Sequence, residues 1–236
     1  MSEIPADPID PIDLAAWRKA LRKSLIERRQ AIDATTLASW RIAIDAHIER
    51  GFPGLAKGVL ALCWPYRNEY DARHVAARAR ARGAITALPV VVAPATPLIF
   101  REWQPGTTLA KGTLGIPYPI DSPEITPDTV LLPMVGFDAA GYRLGYGGGF
   151  FDRTLAAMKK KPVVIGVIHE FGRLPTIHPE PYDIPMDFVV TERGIYRRDD
   201  DTLVFLGAPT PGTASPLASP VCYAGELDPG YFGADQ

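Results

Sequence analysis

Cysteine is nearly absent. The 236 residues contain only Cys63 and Cys222, too few and too far apart for a disulfide framework, and this usage predicts a reducing, cytoplasmic setting. Histidine is scarce too. His47, His74, His169 and His178 fall at no metal-ligand spacing, and only His169 beside Glu170 forms a candidate pair. No apolar run approaches the roughly 20 residues of a membrane-spanning helix. The opening MSEIPADPIDPIDL is acidic and proline-rich and lacks the basic-then-apolar order of a secretory leader. A net charge of −2 sets up no global field toward nucleic acid or membrane. Arg73, Arg78, Arg80 and Arg82 make a local basic run, but without interleaved aromatics it reads as a solvated helix face.

Almost half the residues (47%) are hydrophobic, enough for one sizeable core, and they are patterned. Leu14, Trp17, Leu21 and Leu25 recur at helical spacing, predicting a helix capped by Asp13 and running to about 32; a second follows over 36–50. Apolar runs at 59–64, 85–92, 98–103, 130–137, 163–170, 187–197 and 202–206 read as strands. Helices over 71–83 and from 150 to about 161 separate some of them. This alternation predicts an α/β fold, a three-layer α/β/α sandwich with a largely parallel sheet. The expected organisation is a disordered segment over 1–12, one domain over 13–206, and an extension over 207–236 rich in Pro, Gly and Ala. The small-molecule ligands such a fold takes bind beyond the carboxyl ends of its strands.

The most informative stretch is GYRLGYGGGFFDR (141–153), behind the apolar run 130–137. Gly141, Gly145, Gly147, Gly148 and Gly149 lie between a strand and a helix start. Only glycine lets the backbone turn this sharply and bring its N–H groups against a ligand, and a bare helix N-terminus suits an anion such as phosphate. The loop is not a Walker loop, for no Lys follows the glycines. Nor is it a dinucleotide fingerprint, because Phe150 stands where the third glycine would be.

Five segments in order resemble the 5-formyltetrahydrofolate cyclo-ligase family over roughly 14–198: RKALR (18–22), PYRNEYDA (65–72), GTLGIPYP (112–119), LLPMVGFDAAGYRLGYGGGFFDRTL (131–155) and YDIPMDFVVTERGI (182–195). The resemblance implies an ATP- and Mg²⁺-dependent enzyme that converts 5-formyltetrahydrofolate to 5,10-methenyltetrahydrofolate, ADP and phosphate. The formyl oxygen would attack the γ-phosphate, and N10 would then close the ring as phosphate leaves. Such a step needs placement and charge neutralisation more than covalent help.

By the same resemblance, ATP contacts fall to Arg18, Lys19 and Arg22 on the first helix, to Arg143 and Leu144, to Gly145, Tyr146, Gly147, Gly148 and Gly149, and to Phe150 and Phe151. Arg143 and Asp152 would be catalytic, Glu69 and Phe151 would meet the reduced folate, and Asp152 with Asp187 would hold the metal. Asp138 could orient the loop instead. The partners implied are folate and ATP alone, on a monomer or weak homodimer.

Several positions depart from the family pattern. Tyr146 stands where it has an arginine, Phe150 and Phe151 replace paired tyrosines, Arg18 replaces a lysine, Tyr118 an acidic or amide residue, and Ala72 a threonine. Together they describe a divergent member. Two alternatives stay open: a non-catalytic binder of folate or nucleotide, and an ATP-dependent enzyme acting on another formyl or amide compound.

Overall fold

The computed structural model describes residues 11–209; the expectations for 1–10 and 210–236 lie outside them. In chain order the helices are α1 (Pro11–Gln30), α2 (Ala34–Gly51), α3 (Arg73–Ala81) and α4 (Phe150–Ala157). The strands are β1 (Val59–Leu62), β2 (Ile85–Val90), β3 (Ile99–Glu102), β4 (Leu109–Lys111), β5 (Pro117–Pro119), β6 (Thr129–Pro133), β7 (Gly136–Asp138), β8 (Arg143–Leu144), β9 (Val163–Val167), β10 (Arg173–Leu174), β11 (Phe188–Thr191), β12 (Gly194–Asp199) and β13 (Thr202–Gly207).

An eight-stranded sheet has the order β13-β12-β11-β9-β6-β1-β2-β3. Its inner strands β2, β1, β6, β9 and β11 are parallel, and the strands at both margins are antiparallel. Side chains alternate between the faces as strand geometry requires. Leu60, Leu62, Leu131, Ile165 and Val190 pack with Ile44 and Ile48 of α2 and Val75 and Ala76 of α3. Ala61, Val130, Leu132, Val164 and Val189 pack on the other face with Leu155 of α4. The three-layer sandwich is therefore as expected. No helix among the described residues is long and apolar enough to cross a membrane.

Four local expectations need correction. First, α1 begins at Pro11, so Asp13 lies in its first turn and does not cap it; a side-chain N-cap is made instead by Asp33 at α2, whose carboxylate accepts the Thr36 N–H at 2.9 Å. Second, the run 130–137 is not one strand. It breaks at Met134 and Val135, and its second half enters a small sheet of order β10-β7-β8. The glycine loop follows that hairpin, not the central strand directly. Third, the run 187–197 is a hairpin, β11 and β12. Fourth, the extension expected from 207 begins inside β13, which ends at Gly207.

The β12–β13 pairing depends on Gly194. Its φ is +153°, and a Cβ there would lie 2.5 Å from the Gly207 carbonyl oxygen. Gly194→Ala is expected to destabilise the fold by about 2–3 kcal/mol, read as a lower urea midpoint with unchanged slope.

Candidate active site

Helix α1 lies across the carboxyl end of the sheet. Leu25 and Ile26 pack on Val135, Leu144, Leu174 and Ile177, so the neighbouring residues of that face meet the loops there. Arg18, Arg22 and Arg29 follow at four and then seven residues, roughly one and two turns, which keeps all three on one stripe. Each reaches a different loop. Arg18 is committed to the segment 177–183: Nε donates to the Ile177 carbonyl, Nη2 to the His178 carbonyl and to Asp183, and Nη1 to Glu180. Arg22 Nε donates to the Gly145 carbonyl at 2.7 Å, and its guanidinium lies beside Gly147. Burial, and then the charge of Arg18, lowers the Arg22 pKa. Lys19 is exposed, off this stripe.

The glycine loop is open to solvent: Tyr146, Gly147 and Gly148 are exposed. Gly147 (φ +91°) and Gly149 (φ +61°) occupy backbone regions that side chains disfavour. Gly149 caps α4 with no side-chain hydrogen bond, which leaves the first amides of that helix for a ligand. A Cβ on Gly148 would sit 2.8 Å from the Phe150 ring, so the aromatic covers the bend closely. Phe151 turns into the core instead.

The third rung, Arg29, was not singled out by the sequence, although its helical spacing from Arg22 offered the signal. It is 3% exposed, rare for an arginine. Nε donates to the Arg67 carbonyl, Nη1 to the Met134 carbonyl, and Nη2 to the Tyr146 hydroxyl at 2.7 Å. The same hydroxyl donates to Glu69 Oε1 at 2.6 Å, and Arg29 Nη2 lies 3.6 Å from that oxygen. Arginine, tyrosine and carboxylate thus form one network, its arginine and carboxylate buried under the more exposed tyrosine. Glu69 stands at the end of a tight turn in which Arg67 (φ +49°) and Asn68 (φ +59°) are both left-handed. The Glu69 N–H donates to the Tyr66 carbonyl, and Glu69 Oε2 accepts the Tyr66 N–H at 3.0 Å. Left-handed non-glycine residues are strained and concentrate at functional sites. Burial pushes the Glu69 carboxyl pKa up, opposed by the Tyr146 hydrogen bond, the Arg29 charge and the Tyr66 N–H.

Glu69 follows β1 and the glycine loop follows the excursion after β6. These strands are neighbours, with β2 on the far side of β1, so the crossovers leave in opposite directions between them. That reversal opens a crevice at the carboxyl ends of the strands.

The acidic residues divide. Asp152, in the first turn of α4, lies 2.6 Å from Arg143 Nη2 and accepts the Ile184 N–H; Arg143 Nη1 donates to the Ile184 carbonyl. Arg143 is thus buried in a clamp between β8, α4 and residue 184. Burial lowers its pKa against the pull of Asp152. Asp138 is 1% exposed and accepts the N–H groups of Ala140, Tyr142 and Ile177, so it staples the hairpin beneath the loop. Asp187 sits elsewhere. Its carboxylate accepts the Val164 N–H, at the amino end of β9 and so at the opposite margin of the sheet. It does not stand with Asp152. No group of three or more His, Cys, Asp or Glu residues able to hold a metal occurs among the described residues. A single carboxylate such as Asp152 is compatible with Mg²⁺, which uses one or two carboxylates with phosphate oxygens and water. His169, packed at a tilt against Trp40 and Phe171, has its pKa lowered to about 4 by burial and by Arg29; it packs as a neutral ring.

A model of the 5-formyltetrahydrofolate cyclo-ligase family matches residues 14–192. The chain is 34% identical over 105 residues to a 5-formyltetrahydrofolate cyclo-ligase of Escherichia coli strain K12, covering 42% of this chain and 58% of that one. It is 38% identical over 122 residues to one of Mycolicibacterium smegmatis, covering 48% and 63%. The aligned stretches thus span about three fifths of those relatives. Among solved structures, the 5,10-methenyltetrahydrofolate synthetase of Aquifex aeolicus superposes with a TM-score of 0.67 at 26% identity, covering 80% of this chain and 97% of that one.

Proposed function

The chain belongs to the 5-formyltetrahydrofolate cyclo-ligase family, and on that premise we propose that it cyclises 5-formyltetrahydrofolate to 5,10-methenyltetrahydrofolate, using MgATP and releasing ADP and phosphate, in a reducing cytoplasm. The observation that carries this reading is the meeting, at one crevice, of an open glycine loop backed by Arg22 and a carboxylate held on a strained turn.

The roles follow from chemistry. The free amides of the loop and of the α4 terminus offer fixed donors to phosphate oxygens, and Arg22 adds a charge beside them. Asp152 would be the protein ligand of Mg²⁺, which when bound would supply neutralisation of charge at the phosphates. Arg143 holds Asp152 in place rather than meeting the nucleotide itself. Glu69 offers its carboxylate to the donor edge of the pterin. Arg29 keeps that buried carboxylate compensated, so the cation missing at position 146 is supplied from α1.

Purified protein with 5-formyltetrahydrofolate and MgATP should raise the absorbance of the methenyl product in step with ADP release. Arg22→Ala should raise KM for ATP about tenfold or more, the scale of one hydrogen bond to a charged group, with little change in KM for folate. Folded protein that makes no product at saturating ligand would reject the reading. Tyr146 in place of arginine favours one alternative, a binder without turnover, which calorimetry would reveal as heat of binding with no ADP.

A further inference from the structure

We infer that Tyr146 is a positioning residue that couples the two substrate sites, its hydroxyl tying the nucleotide loop to the folate-facing carboxylate so that occupation of one site strengthens binding at the other. The inference rests on the functional reading above and extends it.

Within 145–149 Tyr146 is the sole residue with a side chain, set among glycines. A Cβ on Gly145 would meet nothing within 4 Å, so the bend has room to adjust when phosphate arrives. Its backbone is held by Arg22 at the Gly145 carbonyl. The side chain of Tyr146 leaves the bend and crosses to the other loop. There its ring lies edge-on to Tyr66, centroids 5.9 Å apart, and its hydroxyl joins Arg29 and Glu69. Glu69 Oε2 is occupied by the Tyr66 N–H, so the direction in which Oε1 offers its remaining lone pair is set by the tyrosine. A carboxylate has about four acceptor sites; the Glu69 side chain is only 3% exposed, and with both oxygens held by fixed donors its remaining sites would meet an arriving ligand at a defined angle. Phosphate bound on the loop amides stills the bend, the hydroxyl with it, and the carboxylate in turn. Ordering required for one ligand has then already occurred when the other binds, and linkage makes the effect reciprocal.

The test is calorimetry with a non-hydrolysable MgATP analogue and 5-formyltetrahydrofolate, each titrated alone and in the presence of the other. Wild type should bind each ligand about fivefold or more tightly when the other is present, by the same factor in both directions. Tyr146→Phe keeps the ring against Tyr66 and removes only the hydroxyl. It should bind each ligand alone, with the factor falling to about one. A second readout is the pH dependence of folate binding. The groups facing Glu69 are Arg29 from α1, Tyr146 from the loop and Cys63 beyond β1. With the tyrosine donor gone, burial weighs more heavily on the carboxylate, and the acid limb of binding should move to higher pH. An equal factor in both proteins, no factor in wild type, or an unmoved acid limb would overturn the coupling while leaving the functional reading intact. If wild type binds neither ligand, that reading fails and the coupling with it.

Discussion

Arg29→Ala is expected to abolish turnover and remove about 3–5 kcal/mol of folding stability. The cause is local. The guanidinium joins α1 to the carbonyls of Arg67 and Met134 and to the Tyr146 hydroxyl. Its removal also leaves Glu69 without a cation in a place where both side chains are almost wholly buried. Breaking a buried pair from one side costs this much because the surviving charge is left uncompensated. The carboxyl, already pushed up by burial, would respond by taking a proton. A raised carboxyl pKa means the native state binds the proton more tightly than the unfolded chain does, so stability in the variant should fall as pH rises through the window between the ordinary carboxylate value and the raised one. Urea unfolding at two pH values reads this directly. Adding Glu69→Gln should recover part of the loss, as a non-additive double-mutant cycle. A loss below about 1 kcal/mol in Arg29→Ala would show that the network contributes little.

Asp152→Ala should come close behind. Arg143 would lose its ion pair, 2.6 Å away with both side chains largely buried, and the α4 start would lose its hold on residue 184. The expected loss of stability is again about 3 kcal/mol. The rate should drop by roughly a hundredfold or more if the carboxylate also holds the cation beside the phosphates. Asp152→Asn separates the two duties, since the amide oxygen can still accept the Ile184 N–H but attracts no cation. It should lose most of its activity, partly recovered by excess Mg²⁺, while losing less stability than the alanine variant. An asparagine variant with near-normal rate and ordinary Mg²⁺ dependence would confine Asp152 to steadying Arg143.

Much of this molecule could be read from local pattern. The strands 59–62, 85–90 and 163–167 and both long helices were visible because burial on alternating faces and on one helical stripe leaves a periodic trace. The glycine loop was legible for a different reason: its backbone conformations admit few other residues, so the constraint is written in residue type. The break at Met134 and Val135 was not legible. An apolar run looks the same whether it continues in one sheet or crosses into another, and only the pairing of β7 with β8 and β10 tells them apart. The roles of Arg18 and Asp187 were hidden similarly. A charged residue beside a motif looks free in one dimension, whereas Arg18 is drawn to the carbonyls and carboxylates of 177–183 and Asp187 to a backbone N–H at the amino end of β9.

Residue order alone determined which elements form, that they alternate as a parallel α/β sheet demands, and where an anion could rest, because periodicity, turn chemistry and glycine's conformational range act over a few neighbouring positions. Tertiary structure alone decided which charges meet. Arg29 and Tyr146 stand 40 and 77 positions from Glu69 in the chain, yet the three meet at one hydroxyl, because adjacent strands carry their loops to the same end of the sheet and a helix from the far N-terminus packs across it. Contacts of that kind depend on geometry accumulated over the whole fold, which no local pattern encodes.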